Sequence, residues 1–225
     1  MRPFVENFPF FCIFLALVAG ILSATFRSGR AAYRMTLAVT GAIAVLSALT
    51  LRYVVEGGLS FSYTMGRFPI PLGNAIRCGP LQALLCTVFA GVLLFALVGG
   101  SRDLFHDVLP EKQRFYFVMV NLTDAALLSL VYTNDAFTGY VFIEISTIAA
   151  CALVMAKDNG PNLIATIRYL FMSLMGSGLF LIGLAILTSI TGYLLMPSMA
   201  EAVASSATLP TSMVRGRPAS SISYL

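Results

Sequence analysis

The sequence predicts an all-α protein, a polytopic bundle of about six transmembrane helices. Three observations carry this. Of 225 residues, 58% are hydrophobic and 11% are charged, where a soluble domain carries roughly a quarter charged residues. The mean hydropathy is +0.88. Six runs reach the ~20 largely apolar residues that a helix needs to cross a ~30 Å hydrocarbon core. The net charge of +4 is small for this length. No basic stripe suggests nucleic acid as a partner; the lipid bilayer is the expected surrounding.

The first run spans about 8–26 and the second about 33–55, interrupted late by Arg52. The third, 80–98, begins at Pro80, a residue suited to a helix start. The fourth covers 115–133, the fifth 138–156 and the sixth 163–190. The first run has one basic residue before it and no clear small-residue cleavage site, and five more runs follow. It therefore reads as a span and not as a cleaved leader. "NDAFT" and "KDNGPN" are short connections, so the fourth, fifth and sixth helices are expected to be antiparallel neighbours. The segment "EGGLSFSYTMGRFPIPLGNAIRCG" is rich in Gly and Pro and reads as neither helical nor spanning. Residues 1–196 thus form the membrane domain, and 197–225, rich in Ser, Ala and Pro, read as a polar, mobile tail.

Lys and Arg between the spans set orientation. Arg27, Arg30, Arg34, Arg102, Lys112, Arg114 and Lys157 fall on one side. Arg2, Arg52, Arg67, Arg77, Arg215 and Arg217 fall on the other. The first set lies mostly in short loops near helix ends, where the rule is strongest. That side is expected to be cytoplasmic, with both termini outside and the protein multi-pass in the cell membrane. Cys12, Cys86 and Cys151 lie within apolar runs and Cys78 in a loop, with no CxxC or CxxH, so neither a metal site nor a disulfide framework is supported. His106 sits in a charged loop and reads as solvated. No motif for a nucleotide, flavin, haem or iron–sulfur cluster occurs, so no cofactor is expected. Asn121-Leu-Thr123 matches a glycosylation sequon but lies within a span, which discounts it. "FYF" at 115–117 suits an interfacial aromatic belt. Ser173, Gly176, Ser177 and Gly178 form a small-residue stretch that suits close helix packing.

Three ionisable residues lie well inside the spans: Asp124, Glu144 and Arg168. From the rise per residue, Arg168 lies ~9 Å, Asp124 ~15 Å and Glu144 ~18 Å from the side holding the Arg27 loop. On adjacent helices they would form a ladder. A charged carboxylate isolated in hydrocarbon is costly, so it neutralises or finds a partner. Such residues mark ion and proton paths. The opposing pulls of burial and a nearby cation would leave Glu144 poised to load and release a proton. For Asp124 with Arg168, a relay and a charge pair that only locks helices together both stand. For Glu144 the relay is favoured, because a neutral residue would lock helices at less cost.

The stretches "RFYF", "NDAFTGYVFIEISTIA" and "IRYLFMSLMGSGLFLIGLAILTSITGYLLM" resemble the antiporter-like subunits of complex I. The likeness is to the D subunit of Mrp-type sodium/proton antiporters and its kin in membrane-bound hydrogenases. It runs from about residue 60 to 200. The family pattern GD-x-F-N-x-[FY]-V-F-[FIL]-E is matched by Asp135, Phe137, Val141, Phe142 and Glu144, while Asn134 stands for its Gly and Thr138 for its Asn. The resemblance implies that Glu144 is the glutamate of a proton-translocation path. It puts Arg168 where the family commonly has a lysine; arginine stays protonated, so it would bias Glu144 and not carry the proton. Asp124 departs from the family, whose members usually have a small or apolar residue there, and is expected to be the counter-charge to Arg168.

The implied function is a proton-translocating, or Na⁺/H⁺-exchanging, subunit of an Mrp-, hydrogenase- or complex I-like assembly. Any redox chemistry would lie in partner subunits. Family members have about fourteen helices, so six spans would make an incomplete antiporter-like fold. The alternative reading is a truncated or split gene product acting only as a structural membrane scaffold. A membrane-embedded enzyme is disfavoured: there is no HxxxxD, no paired metal-ligand motif and no nucleophile with a base in reach.

Overall fold

The computed structural model describes residues 4–58, 60–64, 75–157 and 159–208. A 3-10 turn, Phe4–Asn7, leads into α1, Phe8–Thr25. There follow α2 (Gly29–Gly57), strands β1 (Phe61–Thr64) and β2 (Ala75–Cys78), and α3 (Pro80–Gly99). A short α4 (Ser101–Asp107) precedes α5 (Pro110–Tyr132), α6 (Ala136–Met155), α7 (Gly160–Thr191) and α8 (Met196–Thr208). Six helices, α1, α2, α3, α5, α6 and α7, are long and apolar enough to cross a membrane. They are the six expected spans, most of them lengthened by a few residues.

The local chemistry places the ends. Prolines sit in the first turns of α1, α3, α5 and α7, where the missing N–H removes no helical bond. The Asp135 side chain accepts from Thr138 N at 2.7 Å and the Asn159 side chain from Asn162 N at 2.9 Å, capping α6 and α7. Both α2 and α7 end on a left-handed glycine, Gly58 (φ 59°) and Gly192 (φ 74°).

Helix α5 is the hub. It packs against α1, α2, α3 and α6, whereas α7 packs on α6 and, at its end, on α8. The buried faces of α1 and α3 are built largely from small side chains: Cys12, Ala16, Ala19 and Gly20 on α1, and Ala83, Cys86 and Ala90 on α3. Small residues let helices approach closely where lipid removes most of the hydrophobic drive for association. The buried stripe of α2 is Ala32, Thr36, Thr40, Ile43, Ser47, Thr50 and Val54, so polar hydroxyls line the inside of a membrane helix.

Asn121, 1% exposed on α5, ties that interior together. Its Nδ2 donates to Thr36 Oγ1 at 2.8 Å and to its own helix at Phe117 O, 2.7 Å, and lies 3.4 Å from Ser23 Oγ. One side chain thus joins α1, α2 and α5. The sequon reading of Asn121 is rightly discarded, and its place is the packing centre. Nearer the start of α5, Gln113 is buried and donates to Val108 O at 3.1 Å. It lies so close to Gly29 that a Cβ there would collide with its side chain. That contact lets the first turn of α2 meet the first turn of α5.

Several expectations change in detail. The long Gly/Pro-rich connection contains an antiparallel hairpin, with Phe61 opposite Cys78 and Thr64 opposite Ala75; residues 65–74 lie outside the description. Cys78, expected in a loop, is buried in β2, and burial pushes its thiol up to about 12. The residues after Met196 do not all form an unstructured tail. They open with α8, where Met199 is buried beside Ala136 and Leu184, and residues 209–225 lie outside the description. The turn before α8 is pinned by Ala136 N to Leu194 O and Met196 N to Asn134 O, both 3.0 Å, and Asn134 N reaches Ala75 O at 2.9 Å. These bonds tie the α5–α6 turn, the α7–α8 turn and β2 together at one end of the bundle. The "FYF" cluster divides. α5 begins five residues earlier than expected, so Phe115 faces out while Phe117 is buried against Tyr33 and Phe105. His106 lies on α4 and is largely exposed, as expected for a solvated side chain.

Asn121→Leu should keep the helical content and lower stability by about 1–2 kcal/mol, since it strands the Thr36 hydroxyl and removes the link between α1 and α2. Unfolding in mixed detergent, followed by circular dichroism, measures the loss.

Candidate functional site

The three intramembrane charges lie on α5, α6 and α7, but the helices do not bring them into one ladder. Asp124 is 2% exposed. It follows the α5 positions Phe117 and Asn121 at helical spacing, so it points toward the α1–α3 side. Cys12 of α1 and Cys86 of α3 lie within electrostatic range of it. Its Oδ2 is buried without a hydrogen-bond partner.

Glu144 is half-buried, and its Oε1 is also buried without a hydrogen-bond partner. Two contacts fix where it faces. Thr147 Oγ1 meets Ser173 Oγ at 3.4 Å, and the rings of Tyr140 and Phe180 stack at 6.2 Å with 12° between planes. Glu144 lies four residues after Tyr140 and three before Thr147, so it shares the face that α6 turns to α7. The two contacts also set the antiparallel register. Glu144 lies level with Gly176 and with Ser177, which is buried and donates to Leu174 O at 3.2 Å. A carboxyl group therefore sits in mid-span on the face that α6 turns to α7, level with the buried Ser177.

Arg168 is exposed, as are its neighbours Ile167 and Tyr169. In the same register it lies level with residue 152, about eight residues or ~12 Å from the level of Glu144. Among the described residues Arg168 makes no ion pair. The expected Asp124–Arg168 pair does not form, because α7 packs on α6 and is separated by it from the buried face of α5. The two also differ in level by about 12 Å, and α6 stands between them. By contrast, Asp124 and Glu144 do share a level. Each is eight residues from the turn that joins α5 and α6, hence ~12 Å from that end. They leave it on different faces.

Some of the charges at the ends of the spans are paired. Lys157 Nζ donates to Asp107 Oδ2 at 2.8 Å, joining α4 to the α6–α7 turn. The bond from Lys157, then that from His106, holds the Asp107 carboxyl below the usual carboxylate range. Arg52 meets Glu56 at 2.7 Å one turn on, at the exposed end of α2. Among the described residues no group of three His, Cys, Asp or Glu could hold a metal ion.

Sequence reasoning missed the polar interior of α2. Thr36, Thr40, Ser47 and Thr50 recur at helical spacing within an apolar run. That period would have marked the face as turned inward.

Residues 133–218 match the family model described as NADH:quinone oxidoreductase/Mrp antiporter, transmembrane region. The N subunit of the NADH-quinone oxidoreductase of Desulforudis audaxviator is 30% identical over 191 residues, 84% of this chain and 37% of the relative. The D subunit of the Na(+)/H(+) antiporter of Bacillus subtilis is 26% identical over 206 residues, 90% of this chain and 40% of the relative. Among solved structures, a chain of the Mrp complex from Dietzia sp. DQ12-45-1b superposes with a TM-score of 0.77 at 21% identity, covering 91% of this chain and 40% of that one. At that identity the likeness speaks for the fold. This chain spans about two fifths of the length of these two relatives. Glu144 and Arg168 fall inside the matched segment and Asp124 outside it.

Because Asp124 and Arg168 do not touch, their alanine variants should act independently. The stability loss of Asp124→Ala/Arg168→Ala should equal the sum of the single losses to within about 0.5 kcal/mol, as measured by a double-mutant cycle in detergent.

Proposed function

Because the chain belongs to the family of antiporter-like membrane subunits of NADH:quinone oxidoreductases and Mrp antiporters, we propose that Glu144 is a proton-relay group in an ion-translocating membrane subunit. One observation carries this reading. A glutamate stands in mid-span on the face between α6 and α7, half-buried, with one carboxyl oxygen buried and unpaired. An intramembrane carboxyl group with no structural partner costs stability, and such groups persist where they exchange an ion. Burial at a helix–helix contact also shields the proton from bulk water between transfers.

Arg168 then acts at a distance. It is permanently cationic and lies about two turns of α7 away, so it adds a standing positive potential without receiving the proton. Asp124 is not its counter-charge. The carried ion is H⁺, alone or in exchange for Na⁺. The chain works with other membrane subunits of an Mrp-, hydrogenase- or complex I-like assembly in the cell membrane, with both termini outside. The outward face of α7 supports the need for partners. Met172, Met175, Leu179 and Ile182 are exposed there, and Gly176 and Gly183 have open space before them. Electron transfer, where the assembly performs it, resides in those partners.

Glu144→Gln keeps the shape and the hydrogen-bonding capacity of the side chain and removes its exchangeable charge. It should leave the abundance of the assembly unchanged and abolish ion-coupled transport, measured as cation-dependent collapse of a pH gradient in inverted vesicles. Transport at the wild-type rate by this variant would overturn the assignment.

A further inference from the structure

Helices α3, α4, α5 and α6 line a cavity of about 660 Å³, open on one side past Val88 and Val92, that no step of the proposed transport uses. Its volume lies in the range of small-molecule sites. The walls are predominantly apolar, built by Val92 and Leu93 of α3 and by Val120 and Leu127 of α5. Four acidic or basic side chains line it, three carboxyls and one ammonium. Asp103, Asp107 and Lys157 stand at the end where α4 and the α6–α7 turn lie, and Lys157 is engaged by Asp107 at 2.8 Å. The fourth is Asp124.

The placement of Asp124 is informative. Tyr116, Val120, Thr123 and Leu127 form the face of α5 that lines the cavity, and Asp124 stands at the edge of that face, between the cavity and the packed interior. It is 2% exposed, and its Oδ2 has no hydrogen-bond partner. Its neighbour Thr123 is already satisfied, donating to Met119 O at 2.8 Å. Asp124 is fourteen residues past the start of α5, so it borders the cavity ~21 Å along the helix, well beyond the charged end.

We propose that this cavity binds a lipophilic monocation, an amine whose apolar body fills the space between α3 and α5 and whose ammonium pairs with Asp124. The charge balance of the lining selects a cation: three carboxyls face one ammonium that is already paired. The apolar walls disfavour a column of water, since roomy apolar cavities stay dry. A lipid tail would match the walls but leave the Asp124 carboxyl without a partner, an arrangement that is expensive in hydrocarbon. A cation with an apolar body satisfies both. The site is distinct from Glu144, which faces α7, and it does not depend on the transport reading.

The test uses an isosteric pair of probes, 1-adamantylamine and 1-adamantanol, which share a body and differ in the charge. Binding to the purified full chain in non-ionic detergent is measured by equilibrium dialysis at neutral pH against protein-free micelles. The wild type should bind the amine at least tenfold more tightly than the alcohol. Asp124→Asn should reduce the amine to the affinity of the alcohol and leave the alcohol unchanged, which shows that the cavity is intact. Val92→Trp, which fills the cavity from its open wall, should remove the binding of both. Equal affinities for amine and alcohol in the wild type would mean an apolar groove occupied by lipid, and the proposal would fail. It would fail equally if Asp124→Asn kept the preference while Asp103→Asn or Asp107→Asn lost it, or if Val92→Trp bound both probes as before.

Discussion

The structure depends on how α5 satisfies polar groups in an apolar medium. Within hydrocarbon no water is at hand, so every buried donor or acceptor must find a partner in the protein. Asn121 meets this constraint for three helices at once, with Thr36 from α2, Ser23 from α1 and its own backbone at Phe117. The small residues of α1 beside it, Gly20 among them, keep the helices close enough for short polar side chains to meet. Remove the close approach and the hydrogen bonds lengthen; remove the hydrogen bonds and the small residues have little else to hold them.

Against that background the unsatisfied groups stand out. Among the described residues a few buried side-chain atoms lack a partner, and two of them are the carboxyl oxygens of Asp124 and Glu144. Both lie on one level of the bundle and on different faces of adjacent helices. α5 and α6 thus present two unpaired acids to two separate environments. Glu144 looks to the helix pair that carries the family motif. Asp124 looks to a cavity bounded by α3 and α4. The stability that such groups cost is offset by the dense interior around Asn121.

The two ends of the bundle are built differently. At the end holding β1 and β2, backbone bonds tie Asn134 to Ala75 and to Met196, and Ala136 to Leu194, fixing the α5–α6 and α7–α8 turns to the hairpin. At the other end a side-chain ion pair, Lys157 with Asp107, bridges α4 to the α6–α7 turn. Exposed pairs of this kind contribute little to stability. The backbone clamp is the stiffer closure, and the cavity lies toward the end held by the weaker one.

The amino-acid sequence by itself determined the membrane class, the six spans and the motif that ends in Glu144. Each depends on quantities that accumulate along the chain: the length of an apolar run, the rise per residue, the spacing of residue types. Helix α8 was illegible because its Ser- and Ala-rich composition suits a tail as well as a short helix, and Met199 is buried only where Ala136 and Leu184 are brought to it. The hairpin was hidden by its Gly and Pro content. Only the tertiary structure decided which charges meet. Depth can be estimated from residue number, but register, azimuth and neighbour cannot, and so Asp124 and Arg168, ~6 Å apart in estimated depth, lie about 12 Å apart in level with α6 between them. Asn121 shows the same limit. Nothing in a sequon reveals a packing centre, because its partners Ser23 and Thr36 lie 98 and 85 residues away along the chain and are made neighbours only by the fold.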